Sequence, residues 1–396
     1  MSLPPIAILG AGAMGSGIAQ VALVHGHRVV LLDARPEALA RAWDSLGRSL
    51  AREVEKGRLA SDARDAALAR LVLAETGDAG LAAARDAELV IEAVVEELGV
   101  KQDAFRALED VVSEACLLAT NTSSLSVTAI AAACRLPRRV VGIHFFNPAP
   151  VMPLVEVVPG VATDDASLAA ARRVADGWGK VTVVASDTPG FIVNRVARPF
   201  YGEALRLAEE GLADPATIDW AMKALGGFRM GPFELMDFIG NDVNYATTRS
   251  VWEACFYEPR YRPSFIQRRL VEAGWLGRKT GRGHYLYAEG AVPPEPRRDE
   301  ALGRHILDRV LAMLVNEAVD AVHQRVASAP DVELAMTKGV NYPRGLLAWG
   351  ESIGYAEIER RLRALQEEYG EDRYRASPLL RRLARDGGSL LAPTRA

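Results

Sequence analysis

Ile6-Ala7-Ile8-Leu9-Gly10-Ala11-Gly12-Ala13-Met14-Gly15 decides how the first half of this chain folds. A short apolar run leads directly into G-x-G-x-x-G, and a helical stretch follows through Gln20. In that setting Gly10 permits a tight turn, Gly12 lets a pyrophosphate approach the backbone, and Gly15 lets helix and strand pack closely. The helix that opens at Ala13 and Met14 turns free N–H groups and a partial positive charge toward the phosphates. A second run, Val29-Val30-Leu31-Leu32, ends in Asp33, at the distance where an acid meets the adenosine ribose. Its carboxylate accepts both ribose hydroxyls and repels a 2′-phosphate, which favours NAD over NADP. Arg35 is the neighbour that argues the other way.

Outward from this turn, short β-rich runs alternate with longer helical stretches, the pattern of a parallel sheet flanked by helices. Residues 6–9, 29–32, 89–91, 117–119, 140–144 and 155–158 read as strands, and residues 37–56 and 64–74 as Ala/Leu/Arg-rich helices. The character changes near Asp187-Thr188-Pro189-Gly190, after which the apolar spacing is helical. The expected architecture is an α/β Rossmann-type, doubly wound domain over 1–186, followed by an all-α domain over 187–290. A Pro-rich linker, 291–300, then leads to a second, degenerate copy of the helical domain over 301–396. The copy shows as an ungapped register of 114 residues: Glu203-Ala204 matches Glu317-Ala318, Ala221-Met222 matches Ala335-Met336, and Ile239-Gly240 matches Ile353-Gly354.

Composition bounds the function. The 396 residues are 49% hydrophobic and 25% charged, enough to build large cores. A net charge of −4 gives no basic field for nucleic acid or an anionic membrane. Cys116, Cys134 and Cys255 lie too far apart for metal-ligand spacing, so no metal is expected. With no cationic stretch before the first apolar run and no apolar run near membrane-spanning length, a soluble cytoplasmic protein is expected.

The chain has six histidines. His25 and His27 flank the end of the first helix and read as surface or capping residues. His144 stands apart, because it ends the strand Val140-Val141-Gly142-Ile143-His144, where doubly wound sheets place ligand-contacting groups. Glu156 lies inside Leu154-Val155-Glu156-Val157-Val158, and a carboxylate among such neighbours needs a partner. With the two strands side by side, Glu156 fixes the His144 tautomer and leaves the other ring nitrogen as a base. Asn121-Thr122-Ser123-Ser124 follows a third strand and reaches the same sheet edge. Asn194 opens the helical region. Both sites carry groups that hydrogen-bond a substrate or merely cap a turn.

Together Gly10–Gly15, Asn121-Thr122-Ser123-Ser124-Leu125, His144-Phe145-Phe146-Asn147-Pro148, Asp187–Arg195 and Gly231-Pro232-Phe233-Glu234-Leu235 resemble the L-3-hydroxyacyl-CoA dehydrogenases. The similarity runs over about 5–287, and the second helical unit looks like the longer members. The resemblance implies NAD-dependent oxidation of an L-3-hydroxyacyl-CoA, in fatty-acid β-oxidation, butanoate or phenylacetate-type metabolism. By it His144 is the general base, Glu156 its orienting group, and Ser123 and Asn194 hydrogen-bond the substrate near the reacting carbon. Gly10, Gly12, Ala13, Met14, Gly15, Asp33, Glu96, Lys101, Ser123, Asn147 and Lys279 correspond to cofactor contacts. Ser45 and Arg52 stand where members carry Ser and Lys for CoA. The chain departs from the pattern at His284, where Phe is usual. Asp308 replaces the repeat equivalent of Asn194, so the second copy is expected to be inactive. A homodimer, or a pseudo-dimeric monomer in which the second copy covers the same apolar face, is expected. The alternatives are a dehydrogenase of a free hydroxy acid, of the L-gulonate or carnitine type, and a nucleotide-binding structural protein.

Overall fold

The computed structural model describes residues 3–392. The chain divides after Thr188 into two compact units. The first holds eight strands: β1 (Ile6–Leu9), β2 (Val29–Asp33), β3 (Leu71–Glu75), β4 (Leu89–Glu92), β5 (Leu117–Thr120), β6 (Val140–Phe145), β7 (Leu154–Pro159) and β8 (Val181–Val184). They form one sheet in the order β3-β2-β1-β4-β5-β6-β7-β8, and every pair is parallel except β6–β7. The order turns back between β1 and β4, so the Gly-rich turn leaves the sheet at the switch point where such folds bind nucleotides.

Helices α1 (Ala13–Val24), α2 (Pro36–Glu55), α3 (Ser61–Ala69), α4 (Asp78–Ala82), α5 (Leu98–Glu109), α6 (Val127–Ala131) and α7 (Asp165–Gly177) complete this unit. Alternate strand residues bury opposite faces. Ile6 and Ile8 join a core with Ile18, Leu46 and Leu50 of α1 and α2, while Ala7 and Leu9 join one with Phe105 and Leu108 of α5. Both faces are covered, which is why the strands read as continuous apolar runs.

The edge strand β3 corrects the sequence reading of 64–74 as helix. The helix stops at Ala69, and Leu71–Ala74 pair with Val29–Leu32 of β2, so tertiary pairing overrides the helical propensity of Ala and Leu. Strand β8, which the sequence reading left out, is a β-branched run (Val181-Thr182-Val183-Val184) that pairs with β7. His25 caps the end of α1 through the Val21 carbonyl, as expected. His27 is not a surface residue: it is buried, its Nδ1 lies 2.9 Å from the Pro4 carbonyl oxygen, and its ring packs edge-on against Trp178.

The second unit is helical: α8 (Val193–Val196), α9 (Arg198–Glu209), α10 (Pro215–Ala224), α11 (Pro232–Ile239), α12 (Asn241–Ala254), α13 (Phe265–Glu272), α14 (Glu300–His323), α15 (Ala329–Leu334), α16 (Leu346–Ile353), α17 (Tyr355–Tyr369) and α18 (Pro378–Asp386). The 24-residue α14 runs through its centre, buried on nearly every side between Ile306 and Ala321. Polar contacts recur 114 residues apart. Arg195 Nε donates to Glu317 at 2.8 Å, and Arg309 Nε donates to Glu203 at 3.0 Å, so each segment supplies an arginine to the other's glutamate. Tyr261 hydrogen-bonds Glu317, and Tyr374, 113 residues on and so one residue out of that register, hydrogen-bonds Glu203 in the same reciprocal way. Asp219 accepts the Phe233 and Glu234 amides at the start of α11, and Glu333 accepts the Leu347 and Ala348 amides at the start of α16.

Candidate active site

At the Gly-rich turn each glycine does a different job. Gly10 has φ +108°, and a Cβ there would lie 2.5 Å from the Ala93 carbonyl oxygen. A Cβ on Gly15 would lie 1.8 Å from the Gly10 carbonyl oxygen, whereas one on Gly12 would meet nothing within 4 Å. The backbone at Gly12 is therefore open to a ligand, and the first turn of α1, holding Ala13 and Met14, carries no acidic residue to repel phosphate. Asp33 ends β2 with Oδ2 accepting the Ala11 N–H at 2.8 Å and Oδ1 accepting the Arg35 N–H at 3.0 Å. Gly10, Gly12, Asp33 and Arg35 share a cavity of about 610 Å³ with the apolar side chains of Val94 and Val100. A pyrophosphate cradle, a ribose acid and an apolar slot fit NAD.

A second acid, which the sequence reading did not single out, organises the next loop. Glu92 ends β4, is fully buried, and accepts from Lys101 Nζ at 2.6 Å, Thr120 Oγ1 at 2.7 Å and the Val94 N–H at 2.7 Å. Lys101 is itself 1% exposed and lies 3.2 Å from Glu96 on its other side. The Lys101 ammonium is thus held between two carboxylates rather than presented to solvent. Glu96 Oε1 accepts the Thr122 hydroxyl at 2.6 Å, the Ser123 amide at 2.9 Å and the Ser124 amide at 3.1 Å. Burial works against ionisation of Glu96, but Lys101 and these hydrogen bonds outweigh it and hold its carboxyl below the usual range. The signal was available: Glu92 follows Leu89-Val90-Ile91, the same acid-in-apolar-strand pattern that marked Glu156.

β6 and β7 pair antiparallel with His144 directly opposite Glu156. His144 Nδ1 lies 2.7 Å from Glu156 Oε2, with both side chains buried. A carboxylate only accepts, so Nδ1 carries the hydrogen and Nε2 presents a lone pair. Phe146 packs 4.6 Å from the imidazole, centroid to centroid. Asn121 Oδ1 accepts the Phe145 N–H at 2.8 Å, tying the loop that carries Ser123 to the end of the histidine strand. Asn147 is exposed on the turn that follows. Asp187, read only as part of the Asp-Thr-Pro-Gly turn, accepts the Val127 and Thr128 amides at 2.9 and 2.7 Å and so caps α6 from across the unit.

Ser45 lines a cleft of about 370 Å³ between α1 and α2. Arg52 is not among its lining residues. The cations there are Arg35 and Arg41, with Ser49 one turn past Ser45. Arg52 lies farther along α2, so the basic groups of this cleft are Arg35 and Arg41.

In the helical unit Asn194 is half-buried on α8. Lys279 is half-exposed and pairs with Asp242 at 2.6 Å. His284 packs edge-on against Phe233, and burial pulls its pKa down to about 4. It is therefore a neutral part of the packing between α11 and its loop, not a cation. Among the described residues no group of three or more His, Cys, Asp or Glu side chains is placed to hold a metal, and no helix is long and apolar enough to cross a membrane.

Comparison with known proteins agrees with this geometry. The family described as 3-hydroxyacyl-CoA dehydrogenase, NAD binding domain, matches residues 5–188, and its C-terminal domain family matches residues 190–287 and again 305–389. The chain is 40% identical to 3-hydroxyadipyl-CoA dehydrogenase of Escherichia coli (strain K12), covering 97% of this chain and 98% of that protein. It is 40% identical to a probable 3-hydroxybutyryl-CoA dehydrogenase of Bacillus subtilis, over 73% of this chain and 99% of that one. The crystal structure of 3-hydroxybutyryl-CoA dehydrogenase from Escherichia coli K12 superposes with a TM-score of 0.89 at 38% identity, covering 97% of this chain and 98% of that one. On these matches the chain belongs to the 3-hydroxyacyl-CoA dehydrogenase family.

Proposed function

We propose that this protein oxidises an L-3-hydroxyacyl-CoA to the 3-ketoacyl-CoA with NAD, or runs the reverse reduction. The observation that carries the reading is the His144–Glu156 pair in register across β6–β7, on the same sheet as the pyrophosphate turn. When bound, NAD⁺ supplies the acceptor for the hydride that leaves C3. His144 Nε2 takes the proton of the 3-hydroxyl, so the C–O bond becomes a carbonyl as the C–H and O–H bonds break. Glu156 holds the imidazole in that tautomer and stabilises the imidazolium formed. Ser123, set by Glu96 and Lys101, and Asn194 hydrogen-bond the substrate beside the reacting carbon.

Gly10, Gly12, Ala13, Met14 and Gly15 hold the pyrophosphate and Asp33 the ribose, with Glu96, Asn147 and Lys279 as further cofactor contacts. Lys101 acts on the cofactor through Glu96. The Arg41, Ser45 and Ser49 face of the α1–α2 cleft suits the phosphates of CoA. Residence in the cytoplasm is part of this reading, supported by three free thiols that burial keeps protonated, Cys116 being pushed up to about 12.

We also infer that 187–290 and 301–396 are copies of one helical unit, the second facing the first as a partner subunit would. The reciprocal Arg195–Glu317 and Arg309–Glu203 pairs support this, since isologous interfaces exchange contacts in that way.

The test is NAD-coupled turnover on 3-hydroxybutyryl-CoA and 3-hydroxyadipyl-CoA, the thioesters that the relatives' names carry, with free 3-hydroxybutyrate and L-gulonate as controls. Turnover of a CoA ester but of neither free acid is expected. Turnover of free acids alone overturns the reading.

A further inference from the structure

Glu92 is a buried carboxylate that the proposed reaction leaves without a role. It ends β4 opposite Thr120, the last residue of β5, and is fully buried. Its side chain receives three donors: Lys101 Nζ, Thr120 Oγ1 and the Val94 N–H. A neutral acceptor would serve the hydroxyl and the amide equally well. What only a carboxylate supplies there is a charge against Lys101, and burying that charge is costly.

The charge matters because Lys101 has a second partner. Its ammonium reaches Glu96 at 3.2 Å, so one cation lies between two carboxylates and one negative charge is left in surplus. Glu92 and Lys101 are closed to solvent, whereas the Glu96 side chain is 36% exposed. The surplus is therefore presented at Glu96. With a neutral group at position 92, Lys101 would cancel Glu96 and the loop would present no net charge.

The order of the sheet shows what faces that loop. Asp33 at the end of β2 suits the adenosine ribose, and the turn after β1 suits the pyrophosphate. The other half of a dinucleotide then falls on the opposite side of β1, over the ends of β4 and β5. His144, near the end of β6, takes the substrate proton on the next strand along, so the hydride acceptor belongs between β4 and β6. Glu96 and the Thr122–Ser124 segment bonded to it occupy that edge. The acceptor ring of NAD⁺ is a cation, and that of NADH is neutral. A fixed negative charge beside the ring attracts only the oxidised form.

We propose that Glu92 is a positioning residue that, by neutralising Lys101, keeps a net charge of −1 beside the nicotinamide and so favours NAD⁺ over NADH at this site. This deepens the NAD-dependent reading above and rests on it.

The experiment measures Kd for NAD⁺ by calorimetry and for NADH by fluorescence in wild type, Glu92→Gln, Glu92→Asp and the double variant Glu92→Met/Lys101→Met. Glu92→Gln makes the group neutral, while the aspartate and the double variant both keep the net charge of −1. The ratio Kd(NADH)/Kd(NAD⁺) is expected to fall roughly 3- to 10-fold in Glu92→Gln, the effect of a unit charge across about 10 Å at an effective dielectric of about 40. It should stay near wild type in Glu92→Asp and in the double variant, where an apolar pair replaces the buried ion pair. A merely structural Glu92 would weaken both ligands together and leave the ratio in place. A ratio unchanged in Glu92→Gln, or shifted as far in the double variant, overturns the assignment. If Glu92→Gln does not fold, Glu96→Gln brings the group to the same neutral charge, and an unchanged ratio there overturns it equally. Failure of the wild type to bind either form of the cofactor, in contrast, overturns the NAD reading and this inference with it.

Discussion

Asn121 Oδ1 accepts the Phe145 N–H at 2.8 Å, so the loop after β5 and the end of β6 are fixed to one another across neighbouring strands. Ser123 rides on that loop and His144 immediately precedes the bonded amide. Asn121→Ala leaves the amide without its partner, at a cost of about 1–3 kcal/mol if no water replaces it, and loosens the spacing of base and serine. A loss in kcat of roughly 10- to 100-fold is expected, as for a misplacement on the order of 1 Å. An unchanged kcat, with the far-UV spectrum also unchanged, would remove Asn121 from the positioning role.

His144→Ala is expected to lower kcat by about 10²–10⁴-fold, the usual worth of a positioned base. NADH affinity, measured by fluorescence titration, should change little, because the turn at Gly10–Gly15 and Asp33 lies on other strands. Glu156→Gln keeps the size of the side chain but offers Nδ1 an ambiguous partner, and it should lower kcat while leaving the substrate KM close to wild type. Full activity in Glu156→Gln would separate the pair's geometry from its chemistry.

Asp33→Ser removes the acid that excludes a 2′-phosphate while Arg35, 63% exposed at the side chain, remains at the rim of the same cavity. The NAD KM is expected to rise about tenfold, the worth of one charged hydrogen bond. Turnover with NADP should become measurable. A variant that discriminates against NADP as strongly as wild type would place the selectivity elsewhere.

Glu317→Gln strips the negative charge from a fully buried site where Arg195, Arg260 and Tyr261 converge. Breaking a buried pair in this way costs about 3–5 kcal/mol, or on the order of 10 °C in melting temperature for a unit of this size. Glu203→Gln should cost a similar amount because it meets Arg309 and Tyr374 in the mirrored arrangement. A large loss at one position and none at the other would contradict the equivalence of the two segments.

Asp219 accepts the Phe233 and Glu234 amides and the Tyr285 hydroxyl, yet burial outweighs these bonds and pushes its carboxyl up to about 7. The unfolded chain releases this proton near pH 4 and the folded chain near 7, so between those values the folded state binds the extra proton. Stability contributed at this site is therefore present at low pH and declines as pH rises from about 4 to about 7. Melting curves between pH 5 and 8 should show a steeper decline for wild type than for Asp219→Asn. Parallel curves would show that the carboxyl ionises at its ordinary pH.

Local sequence determined a good deal of this protein. The strand-glycine-helix run at Ile6–Gly15 requires a particular turn whatever surrounds it, because only residues without a Cβ fit at Gly10 and Gly15. Asp33 at a strand end, the acid inside the β7 run and the 114-residue register were equally legible, since charge, apolar alternation and repetition are properties of the string itself. The tertiary structure decided what depends on partners distant in the chain. Leu71–Glu75 has a helical composition on its left flank and becomes a strand only because β2 offers it an edge. Lys101 is caught between Glu92 and Glu96, which no spacing rule reveals. Arg198 looks like any helical arginine until the fold buries it beside two phenols with the Thr248 hydroxyl as a hydrogen-bond partner. Burial and pairing are sums over the whole fold: a sequence states which charges exist, and only packing determines which of them are left without a partner.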